Sequence, residues 1–146
     1  MAISTFATVI SGIQTVNAAI TGVTSAPTEQ PASINTADLP LVLVDVATCA
    51  SDRPAAGLKR RVTTYAIKCF VQPLAQGEGI DEGYQDKLAL LGRFHDQYLD
   101  QMTGGNLFGE TVEQLVPPFV SESDRPLEMA GTLYHGFVIY VKVVEK

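Results

Sequence analysis

The sequence predicts an α+β fold: a mostly antiparallel β-sheet with an N-terminal helix and a mid-chain helix packed on it. Three observations predict it. Apolar residues recur at spacings of three and four within 3–21 and within 80–102, which places them on one face of a helix. Alternation of side-chain character over 60–74 and over 129–144 marks strands covered mainly on one side. The order helix, arm, strand, strand, helix, strand, strand sets strands in consecutive pairs, which favours antiparallel neighbours with the helices on one face.

The first helix is predicted over 3–21, with Phe6, Val9, Ile10, Ile13, Val16 and Ile20 on its apolar face. Ser4 or Thr5 is placed to cap its start and Gly22 to end it. The opposite face, Thr8, Ser11, Thr15, Ala18 and Ala19, is uncharged, and no Asp, Glu, Lys or Arg precedes Glu29. Two readings fit equally: a helix that packs on two sides, or an ordinary helix with a Ser/Thr/Ala exterior. Pro27, Pro31 and Pro40 then make 24–40 an extended arm crossing the surface. Residues 41–47 read as a β-branched strand, and 48–60 as a loop.

The long strand 60–74 puts Tyr65, Ile67, Cys69 and Val71 on one face and Thr64, Ala66, Lys68 and Phe70 on the other. In the helix over 80–102, Tyr84, Leu88, Leu91, Tyr98 and Met102 form the expected core stripe, and Asp86, Arg93, Asp96 and Asp100 the solvent face. Thr103-Gly104-Gly105 stops it. Residues 110–120 read as a strand whose Pro117-Pro118 pair makes it an edge or an irregular strand. The final strand, 129–144, carries Leu133, Phe137, Ile139, Val141 and Val143 on one face and Thr132, Tyr134, Val138, Tyr140 and Lys142 on the other. Ser-Asp-Arg-Pro occurs at 51–54 and at 123–126 with unmatched flanks, and reads as two turns.

Composition bounds the function. The 146 residues, 46% of them apolar, have the commonest size of one domain, and 1–146 is read as a single α+β domain. Only 18% are charged, against about 25% in an average protein, so a surface partly hidden against partners is expected. A net charge of −6 excludes a sequence-independent nucleic-acid binder, which needs a basic face. The run Lys59-Arg60-Arg61 reads as a solvated turn. Cys49 and Cys69 form no C-x-x-C pair and no disulfide framework. No apolar run reaches a membrane span and no positive leader opens the chain, so synthesis in a reducing cytoplasm without a membrane partner is expected.

Reactive residues are few. His95, on the apolar side of the second helix, and His135, in the last strand, read as structural. His95 and Asp96 diverge by about 100° on a helix and form no dyad. Asp81, Glu82 and Asp86 suit the positive end of the helix dipole without a metal. No zinc, EF-hand, phosphate-loop or nucleophile-elbow spacing occurs, and no enzyme activity or cofactor is expected.

An apolar opening helix leads into a proline arm ending Leu39-Pro40-Leu-Val-Leu-Val44. Then come the long strand Arg61-Val-Thr-Thr-Tyr-Ala-Ile-Lys-Cys-Phe-Val71, a mid-chain helix, and the closing strand Gly131-Thr-Leu-Tyr-His-Gly-Phe-Val-Ile-Tyr-Val141. In size and element order this resembles the tail terminator (tail completion) proteins of long-tailed bacteriophages. The resemblance implies a structural virion protein of the tail or neck, assembled in the host cytoplasm. It implies a ring, a hexamer, that caps the tail tube, stops its polymerisation and joins it to the head connector. Its partners would be further copies of itself, the tail-tube protein and the connector or stopper protein. Genome DNA would pass through the lumen unbound, and an acidic wall discourages it from sticking. Two other readings stand beside this one. One is a different neck or tail component, such as a head-to-tail stopper. The other is a small cytoplasmic ligand-binding or enzymatic domain, whose pocket His95, His135 or Cys69 would line. Contacts between copies are expected on the first helix and on the 48–60 and 103–110 loops, through Phe6, Ile13, Asp52, Arg53, Lys59, Arg60, Asn106 and Phe108.

Overall fold

A computed structural model describes residues 5–53, 60–73, 80–104, 108 and 112–145. Helix α1 (Phe6–Ala18) is followed by the arm, which holds one short 3-10 turn (Thr36–Asp38). Then come β1 (Leu41–Asp52), β2 (Arg60–Pro73), α2 (Ile80–Gly104), β3 (Val112–Glu122), β4 (Leu127–Met129) and β5 (Thr132–Glu145). The strands form one sheet in the order β1-β2-β5-β3, with β4 paired to β5 on the β3 side. Every strand pair is antiparallel. The fold is therefore the α+β arrangement expected, two helices against a mostly antiparallel sheet.

Period-two alternation sorts the strands onto two faces. On one, Val42 opposes Cys69, Val44 opposes Ile67, and Cys69 in turn opposes Phe137. Both helices cover this face: Val9, Ile13 and Ile20 from the α1 segment, and Leu90, Phe94 and Tyr98 from α2, join these strand residues in the main core. Aromatic rings meet edge to face around Tyr98, whose centroid lies 5.9 Å from Phe94, 5.8 Å from Phe108 and 6.2 Å from Phe119. Each such pair adds about 0.5–1.5 kcal/mol beyond the area it buries.

The arm links the two faces. Val42 N–H donates to Ser25 O at 2.9 Å, and Thr24 N–H to Pro40 O at 3.0 Å, so the arm runs beside the outer edge of β1. It then turns under the sheet. Ile34 and Leu39 pack against Leu41, Leu43, Phe70 and Tyr134, a second and smaller cluster, with Leu127 and Met129 of β4.

Local chemistry explains the element ends. Thr5 caps α1, accepting from Thr8 N–H at 3.2 Å. The helix closes at Ala18, earlier than the 21 predicted, and Gly22 takes φ +101° in the turn beyond it. Gly136 is required by crowding: a Cβ there would lie 2.2 Å from the Cys69 carbonyl oxygen and 2.8 Å from Leu127 Cδ1. This close approach sits beside a register shift between Phe70 and Gln72. Pro117-Pro118 falls in an interruption of β3 between Val116 and Val120, on a sheet edge as the proline pair predicts.

Three expectations are corrected. The segment 48–52, read as part of a 48–60 loop, continues β1, because pairing with β2 resumes after a bulge between Val46 and Thr48; β2 opens at Arg60, where the long strand is predicted to begin. The final strand, read as continuous from 129, is broken by a turn at Ala130 (φ 51°) and Gly131 (φ 81°) that separates β4 from β5. On α2 the core stripe is Leu90, Phe94 and Tyr98 together with Lys87. Leu88 and Met102, predicted in the core, are 40% and 39% exposed.

Candidate interaction surface

Helix α2 has three faces. At 100° per residue, Leu90, Phe94 and Tyr98 span about 80° and point into the sheet. Asp86, Arg93, Asp96 and Asp100 are exposed on the side toward α1, where Arg93 Nη1 donates to Thr21 O at 3.0 Å. A third strip, Leu88, Leu91, Leu99 and Met102, spans another arc of about 80° on the opposite side. Leu99 is 51% exposed and Leu91 half-buried. Two contacts orient this strip toward the β3 edge: His95 Nε2 lies 3.1 Å from Ser121 Oγ, and Lys87 Nζ donates to Ser123 O at 2.7 Å. Val120 on β3 is also exposed.

Helix α1 lies over β1, on the same face as α2 but at the opposite edge of the sheet. Its polar residues divide by role. Gln14 and Asn17 are buried and form a chain of bonds. Tyr98 O–H donates to Asn17 Oδ1 (2.6 Å), Asn17 Nδ2 to Gln14 Oε1 (3.0 Å), and Gln14 Nε2 to Val42 O (2.8 Å) and Pro27 O (2.7 Å). Burial raises the Tyr98 hydroxyl well above the ordinary phenol range, so it stays a donor. Ala7, Ser11, Thr15 and Ala18 stay exposed on the outer side.

In the hairpin of β1 and β2, the outer half of β1 lies outside the core while β2 stays paired with β5 as far as Val62. From Asp45 to Asp52 every residue of β1 is exposed except half-buried Val46. Near its tip Arg60 grips Asp52 with two bonds, Nε to Oδ1 at 3.0 Å and Nη2 to Oδ2 at 2.5 Å, with both side chains half exposed. On the same strands Thr63 Oγ1 donates to Cys49 Sγ at 3.5 Å, and the Arg61 guanidinium lies 4.0 Å from the centre of the Phe6 ring.

The residues expected to make contacts therefore separate. Phe6, Asp52, Arg53 and Arg60 are exposed on or beside the hairpin and the start of α1. Ile13 and Phe108 are fully buried, Ile13 among the core residues and Phe108 against Tyr98, so neither offers a surface. Lys59 and Asn106 lie outside the described residues. Sequence reasoning missed Leu99. The repeat of Leu88, Leu91, Leu99 and Met102, offset from Leu90, Phe94 and Tyr98, was the available signal.

The reactive residues do not converge. Cys69 is buried, and burial pushes its thiol far above the ordinary value. His135 is buried in β5, opposite Gln72, while His95 is half-buried beside Ser121. A cleft of about 400 Å³ lies between the arm, the end of β2 and α2, with Asp86 and Arg93 on its wall. None of these three residues lines it. Among the described residues no group of three or more His, Cys, Asp or Glu is placed to hold a metal, and no helix is long and apolar enough to cross a membrane. Neither a family model nor a curated protein matches the chain.

Proposed function

We propose that the chain is a tail terminator, a structural virion protein whose copies close into a ring on the end of a phage tail tube. There the ring stops polymerisation and presents a surface to the head connector. The observation that carries this reading is the exposed outer half of edge strand β1. Residues 45–52 are paired with β2 yet lie outside the core, which leaves them open to burial against another molecule. The exposed strip on α2 and the uncharged strip on α1 add two further faces of that kind. The net charge of −6 suits a wall past which DNA slides without sticking.

Electron microscopy of particles assembled without the protein tests the reading. Overlong, headless tails are the expected result. Tails of normal length detached from heads point instead to a stopper that joins finished tails. Normal particles refute both.

A further inference from the structure

We infer that the apolar strip of α2 and the outer strip of α1 are the two halves of one contact, formed between the α2 of one copy and the α1 of the next. The inference names a self-contact for the ring proposed above and rests on that reading only for the closure of the ring.

Four features match the two strips. They lie at opposite ends of one helix layer, since α1 sits over edge strand β1 and the α2 strip turns toward edge strand β3. They have the same length: the interval from Leu88 to Met102 is about 21 Å on a helix, and the 13 residues of α1 about 20 Å. They are complementary in size, because the α2 strip presents Leu and Met where α1 presents Ala7, Ser11, Thr15 and Ala18. Neither strip carries Asp, Glu, Lys or Arg, and His95, within the α2 arc, is held by Ser121 of its own chain at 3.1 Å, so bringing the strips together strips no carboxylate, ammonium or guanidinium of water.

The sheet edges narrow the choice further. A second copy set beside the first would bring β3 toward β1. Strand pairing under the helices is blocked on both sides: β3 is interrupted at Pro117-Pro118, and β1 at residues 42–44 is covered by Ser25, Gln14 and Gln30, whose Nε2 donates to Val44 O at 3.2 Å. Above this inner half of β1, side chains of the helix layer are left to make the contact. Joining one flank to the other is a head-to-tail interface, which generates a ring when the rotation closes. The strip is about 21 Å by about 10 Å, or roughly 200 Å². A stable pair needs about 800 Å² per partner, so the strip is too small to hold an isolated pair. In a closed ring each copy uses both flanks, and removing one copy breaks two contacts.

Cross-linking tests this directly. In a Cys49→Ser background, which removes the exposed thiol, one chain carries Thr15→Cys and another Leu99→Cys. A short bis-maleimide should give a covalent dimer from the mixture and none from either chain alone. A chain with both substitutions should give a ladder. Cross-linking of either single variant with itself, at the yield of the mixture, would mean a two-fold contact and overturn the inference. So would the absence of cross-link in a mixture that light scattering shows to be oligomeric, or a strictly monomeric protein. Leu99→Glu gives a check without covalent chemistry: an unchanged melting curve with assembly weakened at least tenfold is expected, and unchanged assembly counts against the contact. Rings that cross-link as described yet fail to shorten tails in the assembly assay would reject the tail reading and leave this contact standing.

Discussion

Replacing Tyr98 with Phe removes one oxygen and keeps every ring contact around it. The hydroxyl is fully buried and donates to Asn17 Oδ1 at 2.6 Å. Its loss leaves a buried carbonyl oxygen without that donor, at a cost of about 1–3 kcal/mol. For a chain of this size about 2 kcal/mol lowers the melting midpoint by roughly 4–8 °C. Asn17→Leu removes the acceptor instead and strands both the Tyr98 hydroxyl and Gln14 Oε1. Once Asn17 is Leu, the second change should cost almost nothing, because the hydroxyl has already lost its partner. Urea unfolding followed by circular dichroism measures all four corners of the cycle, and the midpoint should move without a change in slope. A coupling of about 1–2 kcal/mol is expected. Additivity within about 0.5 kcal/mol would refute the idea that this bond ties α2 to α1.

Gly136→Ala should destabilise the fold by about 3 kcal/mol or more, read as a fall in the urea midpoint, because the atom that blocks the new Cβ is the Cys69 backbone oxygen and not a flexible side chain. Stability should also fall in alkali. Cys69 and Tyr98 hold their protons more tightly folded than unfolded, so their contribution is complete below the ordinary pKa and is lost as pH rises above it. The decline should begin near pH 9, the ordinary thiol value, at up to about 1.4 kcal/mol per pH unit for one group. Cys69→Ala should delay it to the tyrosine range near pH 10, as a pH series of urea midpoints will show. On the hairpin, Asp52→Lys should leave the melting midpoint unchanged, since the pair it breaks is solvated, while weakening self-association in light scattering.

Much of this fold could be read from alternation. The faces of β2 and β5 follow their period-two pattern except at Leu133, which alternation sets with Phe137 but which is 45% exposed beside the turn that opens β5, and the proline pair on β3 announced an edge. Helix α2 was harder because its apolar residues cover two adjacent arcs. Periodicity finds a 3.6-residue repeat but not which of two offset repeats faces the sheet. The competing set, with Leu88 and Met102, looked equally continuous. On α1, Gln14 and Asn17 belong to the polar count of any pattern reading, yet both are interior because their partners come from residues 27, 42 and 98, distant in sequence. The outer half of β1 was lost for a third reason. Thr48-Cys-Ala-Ser51 lacks both alternation and a covered face, and only pairing with β2 makes it a strand.

The bulge between Val46 and Thr48 divides β1 into an inner half held by the arm and an outer half paired with β2. Thr48 to Asp52 runs roughly 16 Å along β2 at the usual rise of a strand. Behind it β2 is itself paired with β5 as far as Val62, opposite Val144. Thr63 and Tyr65 of β2, beside this half, are fully buried. The exposed half of β1 is thus backed by two further strands, so a neighbour meets a surface already set in shape and its use costs little ordering of the chain.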